Sequence, residues 1–315
     1  NADFLPNNTW TYYTQQYTMT GGTYPFNEAW QSSFGRTSLD RYATEHPSHE
    51  KAYKYNVGVE ATLFHGLDVT LEGYYTRHNN IWVTSDGKYT DVIGQDAPYE
   101  NGGVVDNSGF EIGLDYNKKI SEVTFNIGGN FNYNHNKIKE QYEQPRLYSN
   151  LVQTGNQLGQ IYGLKAIGLF KDAADIAASP KQNFSNVKPG DIKYKDVNSD
   201  GVINDSDRVP IGSTTRPNLI YGFGMSATWK GFDVNLHFQG AGKSSFFIDG
   251  FGVRPFSGGD WGNILTDVVG NYWSLGTNEN PDAKYPRLSS QSNANNYQAN
   301  TVWLADRSFL KLRNA

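Results

Sequence analysis

The chain has 315 residues, a formal net charge of −5, 14% aromatic residues, no cysteine and a mean hydropathy of −0.63. No apolar run approaches the ~18 residues a membrane helix needs. Disulfide and thiolate chemistry are excluded, and the acidic balance argues against a nucleic-acid partner. So many rings in so polar a chain suit interfacial aromatic girdles around a wet lumen better than a soluble core. Asn1 opens neither a basic nor an apolar leader, so the chain is expected to be processed or a fragment of something longer.

Residues 1–49 read as loop. Gly21-Gly22, Tyr24-Pro25 and His46-Pro47 punctuate them, and Trp10, Tyr12, Tyr13 and Trp30 follow no period. From Tyr53 the pattern alternates. Tyr53, Tyr55, Val57, Val59, Ala61 and Leu63 take one face, and Lys54, Asn56, Gly58, Glu60 and Thr62 the other. After a turn at His65-Gly66, Leu67, Val69, Leu71, Gly73 and Tyr75 oppose Asp68, Thr70, Glu72, Tyr74 and Thr76. Period two is the signature of a strand with two unlike faces. Residues 84–106 then read as a long polar connection.

A second hairpin repeats the design. Phe110, Ile112, Leu114 and Tyr116 are answered, across a turn at 118–122, by Val123, Phe125, Ile127, Gly129, Phe131 and Tyr133. Its polar face, Asn126, Asn130, Asn132 and Asn134, is a ladder of amides. Burying these unpaired costs roughly 1–3 kcal/mol each, which a water-filled lumen avoids. Within the long segment 139–219, residues 161–170 suggest one short strand and 171–178 a turn or two of helix. A third hairpin follows. Tyr221, Phe223, Met225, Ala227 and Trp229 turn at Lys230-Gly231 into Phe232, Val234, Leu236 and Phe238, with Asp233, Asn235, His237 and Gln239 on the wet face. Another polar excursion ends near Arg307, and 308–313 begins a further strand. Short turns at one end and long loops at the other match an outer-membrane barrel. The expected fold is therefore all-β, part of a large antiparallel transmembrane β-barrel with long extracellular loops. Lipid lies outside it, and six or seven strands are too few to close around a wet lumen.

Residues 190–209 carry a calcium-type loop. Asp196, Asn198, Asp200 and Asp207 stand at positions 1, 3, 5 and 12, with Gly201 at 6, the Val202 carbonyl at 7 and Asn204 at 9. Asp207 replaces the usual bidentate Glu. The expected ion is a structural Ca²⁺ pinning a loop that no disulfide can hold; the alternative is an Asp/Asn/Gly turn that only looks like a cation loop.

With these residues in view, the chain resembles the SusC/RagA family of TonB-dependent outer-membrane transporters. The resemblance covers most of the chain from about Lys51. It rests on an ordered set: Lys51 to Glu60, Asn107 to Leu114, Gly190 to Gly201, Tyr221-Gly-Phe with Lys230-Gly-Phe-Asp233, Phe238-Gln-Gly240, Tyr272-Trp273, Ala283 to Leu288 and Ser308 to Asn314. The resemblance implies that residues 1–315 are a partial receptor barrel domain, without the plug and the final strands. It implies a barrel of roughly 22 strands in a bacterial outer membrane. It also implies a SusD-like lipoprotein lid and import of oligosaccharide or peptide, driven through TonB acting on the plug. The rival reading is a calcium-stabilised surface glycan-binding or adhesion β protein without a pore.

Trp261, Tyr272, Trp273, Tyr285 and Trp303 could stack on a substrate, but packing of the loop or contact with the lid is the favoured role. His46 and His49 lack a third ligand for zinc. No spacing singles out a carboxylate pair among Glu60, Asp68, Glu72, Glu111, Asp115 and Asp233, so no enzyme activity is expected.

Overall fold

The computed structural model describes residues 16–26, 32–64, 66–90, 92, 94–250, 253–256, 263–290 and 293–315. Seven strands form one antiparallel sheet: β3 (Lys51–Leu63), β4 (Leu67–Thr84), β5 (Tyr99–Ile120), β6 (Val123–Glu140), β13 (Leu219–Trp229), β14 (Phe232–Gly242) and β17 (Phe309–Asn314). Their order in the sheet is their order in the chain. Neighbours alternate in direction, so every short turn falls at one end of the strands and every long connection at the other. Among the described residues the sheet is open, with β3 and β17 at its edges. No described helix is long and apolar enough to cross a membrane.

Register preserves the faces that alternation assigns. Tyr55 pairs with Tyr75, Val59 with Leu71 and Ala61 with Val69, while Glu60 meets Thr70 and Thr62 meets Asp68. In the third hairpin Phe223 faces Phe238, Met225 faces Leu236 and Trp229 faces Phe232. A slip of one residue would reverse every side chain. The tight turn is set by Lys230 and Gly231, both at positive φ (47° and 88°), the combination that a two-residue type I′ hairpin needs.

Chain folding departs from the expected boundaries in several places. The sheet strands run on past their alternating segments, so β5 starts at Tyr99 and the connection before it shrinks to residues 85–98. The β5–β6 turn is only Ser121-Glu122, with Ser121 at φ 56°, rather than 118–122. Residues 161–170 form two short strands, not one. Part of the supposed N-terminal loop is a hairpin of β1 (Gln16–Phe26) and β2 (Ser32–Arg41). These strands mix Thr, Ser and Gly without period two, so alternation could not reveal them. Trp10, Tyr12, Tyr13, Trp30 and His65 lie outside the described residues.

The chain divides into two compact units. The first comprises residues 1–114, 132–146 and 153–158 and carries β1 to β4 with the adjoining parts of β5 and β6. Here Glu143 ties the 141–158 connection together. Its carboxylate accepts from the Gln153 and Thr154 amides at 3.0 and 2.9 Å and from the Thr154 hydroxyl at 3.0 Å.

The second unit comprises residues 115–131, 147–152 and 159–315. Its long connections build short strands of their own. β7 (Gln160–Gly163) pairs with β12 (Val209–Thr214), and β8 (Ala166–Leu169) with β10 (Ile192–Tyr194). β9 (Lys181–Gln182) runs parallel to β11 (Val202–Ile203), and β15 (Ser245–Phe247) pairs with β16 (Leu304–Asp306). The helix α1 (Ala173–Ala177) is capped by Asp172, whose side chain accepts from the Asp175 amide. These pieces close over one apolar core: Leu164, Leu169, Ile192, Tyr194, Ile203 and Trp273.

Candidate functional site

Among the described residues, the sheet strands present an apolar face that is left exposed. Tyr55, Val57 and Val59 are 63%, 75% and 60% exposed, and Leu71, Ile127, Phe223, Met225, Phe232, Val234 and Leu312 are also exposed. Pairs such as Phe223–Phe238, stacked at 4.9 Å, and Tyr55–Tyr75 at 6.3 Å lie on this face. The opposite face is a lattice of polar side chains. Asn126 donates to both oxygens of Asp115 at 3.1 Å and to Asn117 at 2.8 Å, Asn132 donates to Glu111, and Asn134 donates to Tyr74 at 3.0 Å.

In the second unit, the loop module is organised by Asp191, which is fully buried. Its carboxylate faces the Arg287 guanidinium, with Nε at 2.7 Å and Nη2 at 3.1 Å. It also accepts from the Lys188 amide at 2.7 Å and from Asn293 and Asn296 at 2.9 Å each. The network continues. Asn295 donates to the Ile192 carbonyl, Tyr194 donates to the Asn295 carbonyl at 2.6 Å, and Asn300 donates to the Tyr194 hydroxyl at 2.9 Å. Burial pushes the Tyr194 hydroxyl far above the usual phenol range. These bonds join segments about a hundred residues apart, and no local pattern announced them.

The aromatic candidates divide. Trp273 and Trp303 are buried, 4% and 5% exposed. Trp303 donates its indole N–H to the Asn296 carbonyl at 2.6 Å and stacks on Tyr297. Both rings are engaged in packing the module. Tyr272 and Tyr285 are half-buried and pair through a backbone bridge; Tyr285 also donates to Asp267 at 2.6 Å. Trp261 lies outside the described residues.

In the 196–207 loop Ser199 and Gly201 take positive φ, 60° and 83°. Its side chains cap its own amides. Asp196 accepts from Ser199 and Gly201, Asn198 from Asp200, Asp200 from Val202, and Asn204 from Ser206. Asp207, fully buried, accepts from Val197 at 2.8 Å and Asn204 at 2.9 Å. Among the described residues no group of three or more His, Cys, Asp or Glu is gathered as a metal site. Each carboxylate oxygen used here still keeps a second lone pair. Beside the loop, burial and then Asp200, Asp207 and Asp196 raise the Tyr148 hydroxyl above its ordinary range. The three acids thus concentrate negative potential at this loop.

The described residues thus form an antiparallel meander with one exposed apolar face and one polar face. No family model matches the chain. It is 25% identical, over 88% of its length, to one TonB-dependent receptor of Formosa agariphila, and 22% identical over 88% to a second from the same organism. It spans 28% of the length of each of these relatives. Its fold is similar to that of the RagAB peptide importer in its open-open state, with TM-score 0.67, 18% identity, and coverage of 96% of this chain and 31% of that one. A second structure, of the RagAB peptide transporter, superposes equally well at 19% identity.

Proposed function

We propose that this chain is part of the barrel wall and extracellular loops of a TonB-dependent outer-membrane transporter. The observation that carries this reading is the bare apolar face repeated on strand after strand of a meander whose turns are short at one end only. Lipid would cover that face, and the asparagine–carboxylate lattice would line the water-filled path. The substrate would be an oligosaccharide or a peptide, moved with energy delivered through TonB rather than by chemistry in these residues. The module built from the long connections would meet a SusD-like lipoprotein lid.

Calcium belongs to the same proposal as a structural ion. Asp196, Asn198, Asp200, Asn204, Asp207 and the Val202 carbonyl are the oxygen set that would hold it, and their calcium-loop spacing is what supports the reading. Binding would draw the carboxylates inward from their present amide-capping positions.

Single-cysteine labelling in intact outer membranes tests the reading. Cysteines at Val57, Val59, Leu71, Ile127 and Phe223 should resist a water-soluble maleimide, and those at Asn56, Glu60, Asn126 and Asn235 should react. Equal labelling of the two sets would sink the barrel. Lid docking is tested by co-purification after shortening the 243–308 connection, where undiminished lipoprotein capture would place the lid elsewhere.

A further inference from the structure

Within the first unit, residues of the 85–98 connection and the segments beside it enclose a cavity of about 720 Å³. That size falls in the range of small-ligand sites, roughly 300–1,000 Å³. Tyr42, Glu45, His46, Tyr89, Glu100 and Tyr142 are among its lining, which among the described residues contains two carboxylates, one histidine and no lysine or arginine.

At its margin the protein seats two of its own cations in one manner. The Arg41 guanidinium lies 4.4 Å from the Tyr99 ring centroid and 3.1 Å from Asp96. The Lys88 ammonium lies 3.7 Å from the Tyr142 centroid and 2.5 Å from Glu100. Each seat combines an aromatic face, which attracts cations, with a carboxylate. Tyr42, Tyr89 and Glu45 repeat that composition. Among the described residues no ion pair joins Glu45 to a basic side chain, and Tyr42 and Tyr89 stay 41% and 36% exposed. Burial first, then the charges of Glu100 and Glu45, raise the Tyr89 hydroxyl above the usual phenol range, with Lys88 opposing. Both carboxylates therefore bear on the ring that lines the cavity.

We propose that this cavity binds a cationic side chain of an external peptide, a lysine or arginine, with Glu45 as counter-ion and Tyr42 and Tyr89 as aromatic walls. An anionic ligand would be repelled by the Glu45 carboxylate, since Glu100 is already paired with Lys88, and a neutral sugar would leave the Glu45 charge unmatched. The inference rests on the transporter reading and narrows its substrate to basic peptides.

The test uses the purified, detergent-solubilised protein and two end-blocked tetrapeptides, Gly-Gly-Lys-Gly and its norleucine isostere, titrated calorimetrically at low salt. The lysine peptide should bind about tenfold more tightly. Glu45→Gln, at an exposed position, should abolish the preference, and Tyr89→Leu should reduce it. Lys88→Met, which frees the Tyr142–Glu100 seat, should strengthen lysine-peptide binding. Equal affinity of the two peptides, a preference untouched by Glu45→Gln, or binding of a neutral tetrasaccharide in place of the peptide overturns the proposal. Lost lysine preference with the labelling pattern intact overturns this inference alone. A retained preference with the labelling pattern lost overturns the transporter reading instead.

Discussion

Asp191→Ala is the most informative perturbation of the loop module. The wild-type carboxylate is fully buried and satisfies one backbone amide, two asparagine amides and the Arg287 guanidinium. Its removal leaves three neutral donors without their acceptor, at about 1–3 kcal/mol each when they stay buried. Breaking a buried ion pair costs about 3–5 kcal/mol through the charge left behind. These contributions do not add fully. The Arg287 side chain is 20% exposed and can turn toward water, and the asparagines can re-pair. A net loss of about 3–5 kcal/mol is expected, confined to the module. Hydrogen exchange read by mass spectrometry over residues 182–196 and 293–303 should show protection falling about a hundredfold or more, since 1.4 kcal/mol is a factor of ten. β13 and β14 should keep theirs. The double change Asp191→Leu with Arg287→Met removes both charges and should recover much of the loss. Protection within about threefold of wild type in the single variant, by the same conversion, would show that the network does not hold the module and refute the reasoning.

Gly190→Ala should destabilise the same module by about 2–4 kcal/mol. Gly190 sits at φ 84° with its missing Cβ directed into the Trp273 ring, so strain and overpacking combine; near-native protection of 188–196 would count against it. Glu143→Gln should remove an acid-sensitive step. Burial raises that carboxyl, but the Thr154 and Gln153 amides and the Thr154 and Gln141 side chains outweigh it and hold it below its ordinary value of 4.5. A depressed folded-state pKa gives stability that is full above the unfolded value and is lost as pH falls through the folded one. Proteolytic resistance of residues 141–158 should therefore drop below about pH 4.5 in wild type and be flat with pH in the variant; a wild-type profile in the variant would contradict this. Asp200→Ala should abolish calcium-dependent protection of 188–209 without altering the sheet, and equal protection with calcium and with chelator in the wild type would remove the ion from the account.

Alternation along the chain was enough to assign the faces of the three hairpins in the seven-stranded sheet, though not β1 and β2. That Val59 shares a face with Leu71, Phe223 with Phe238 and Glu60 with Thr70 follows from period two and the short turns between their strands. The Lys230-Gly231 turn was equally legible, since positive φ has few chemical solutions. Tertiary structure alone decided what joins distant segments. Asn293, Asn295, Asn296 and Asn300 look like ordinary loop polarity until Asp191, Ile192 and Tyr194 arrive as partners a hundred residues away. Trp273 and Trp303 look available until that same closure buries them. Tyr42 and Glu45, Tyr89, and Tyr142 belong to three loop stretches with no common period, and only chain folding brings them around one cavity. Local steric and solvent preferences are written residue by residue, whereas these pairings depend on loop closure, for which the sequence offers no periodic signal.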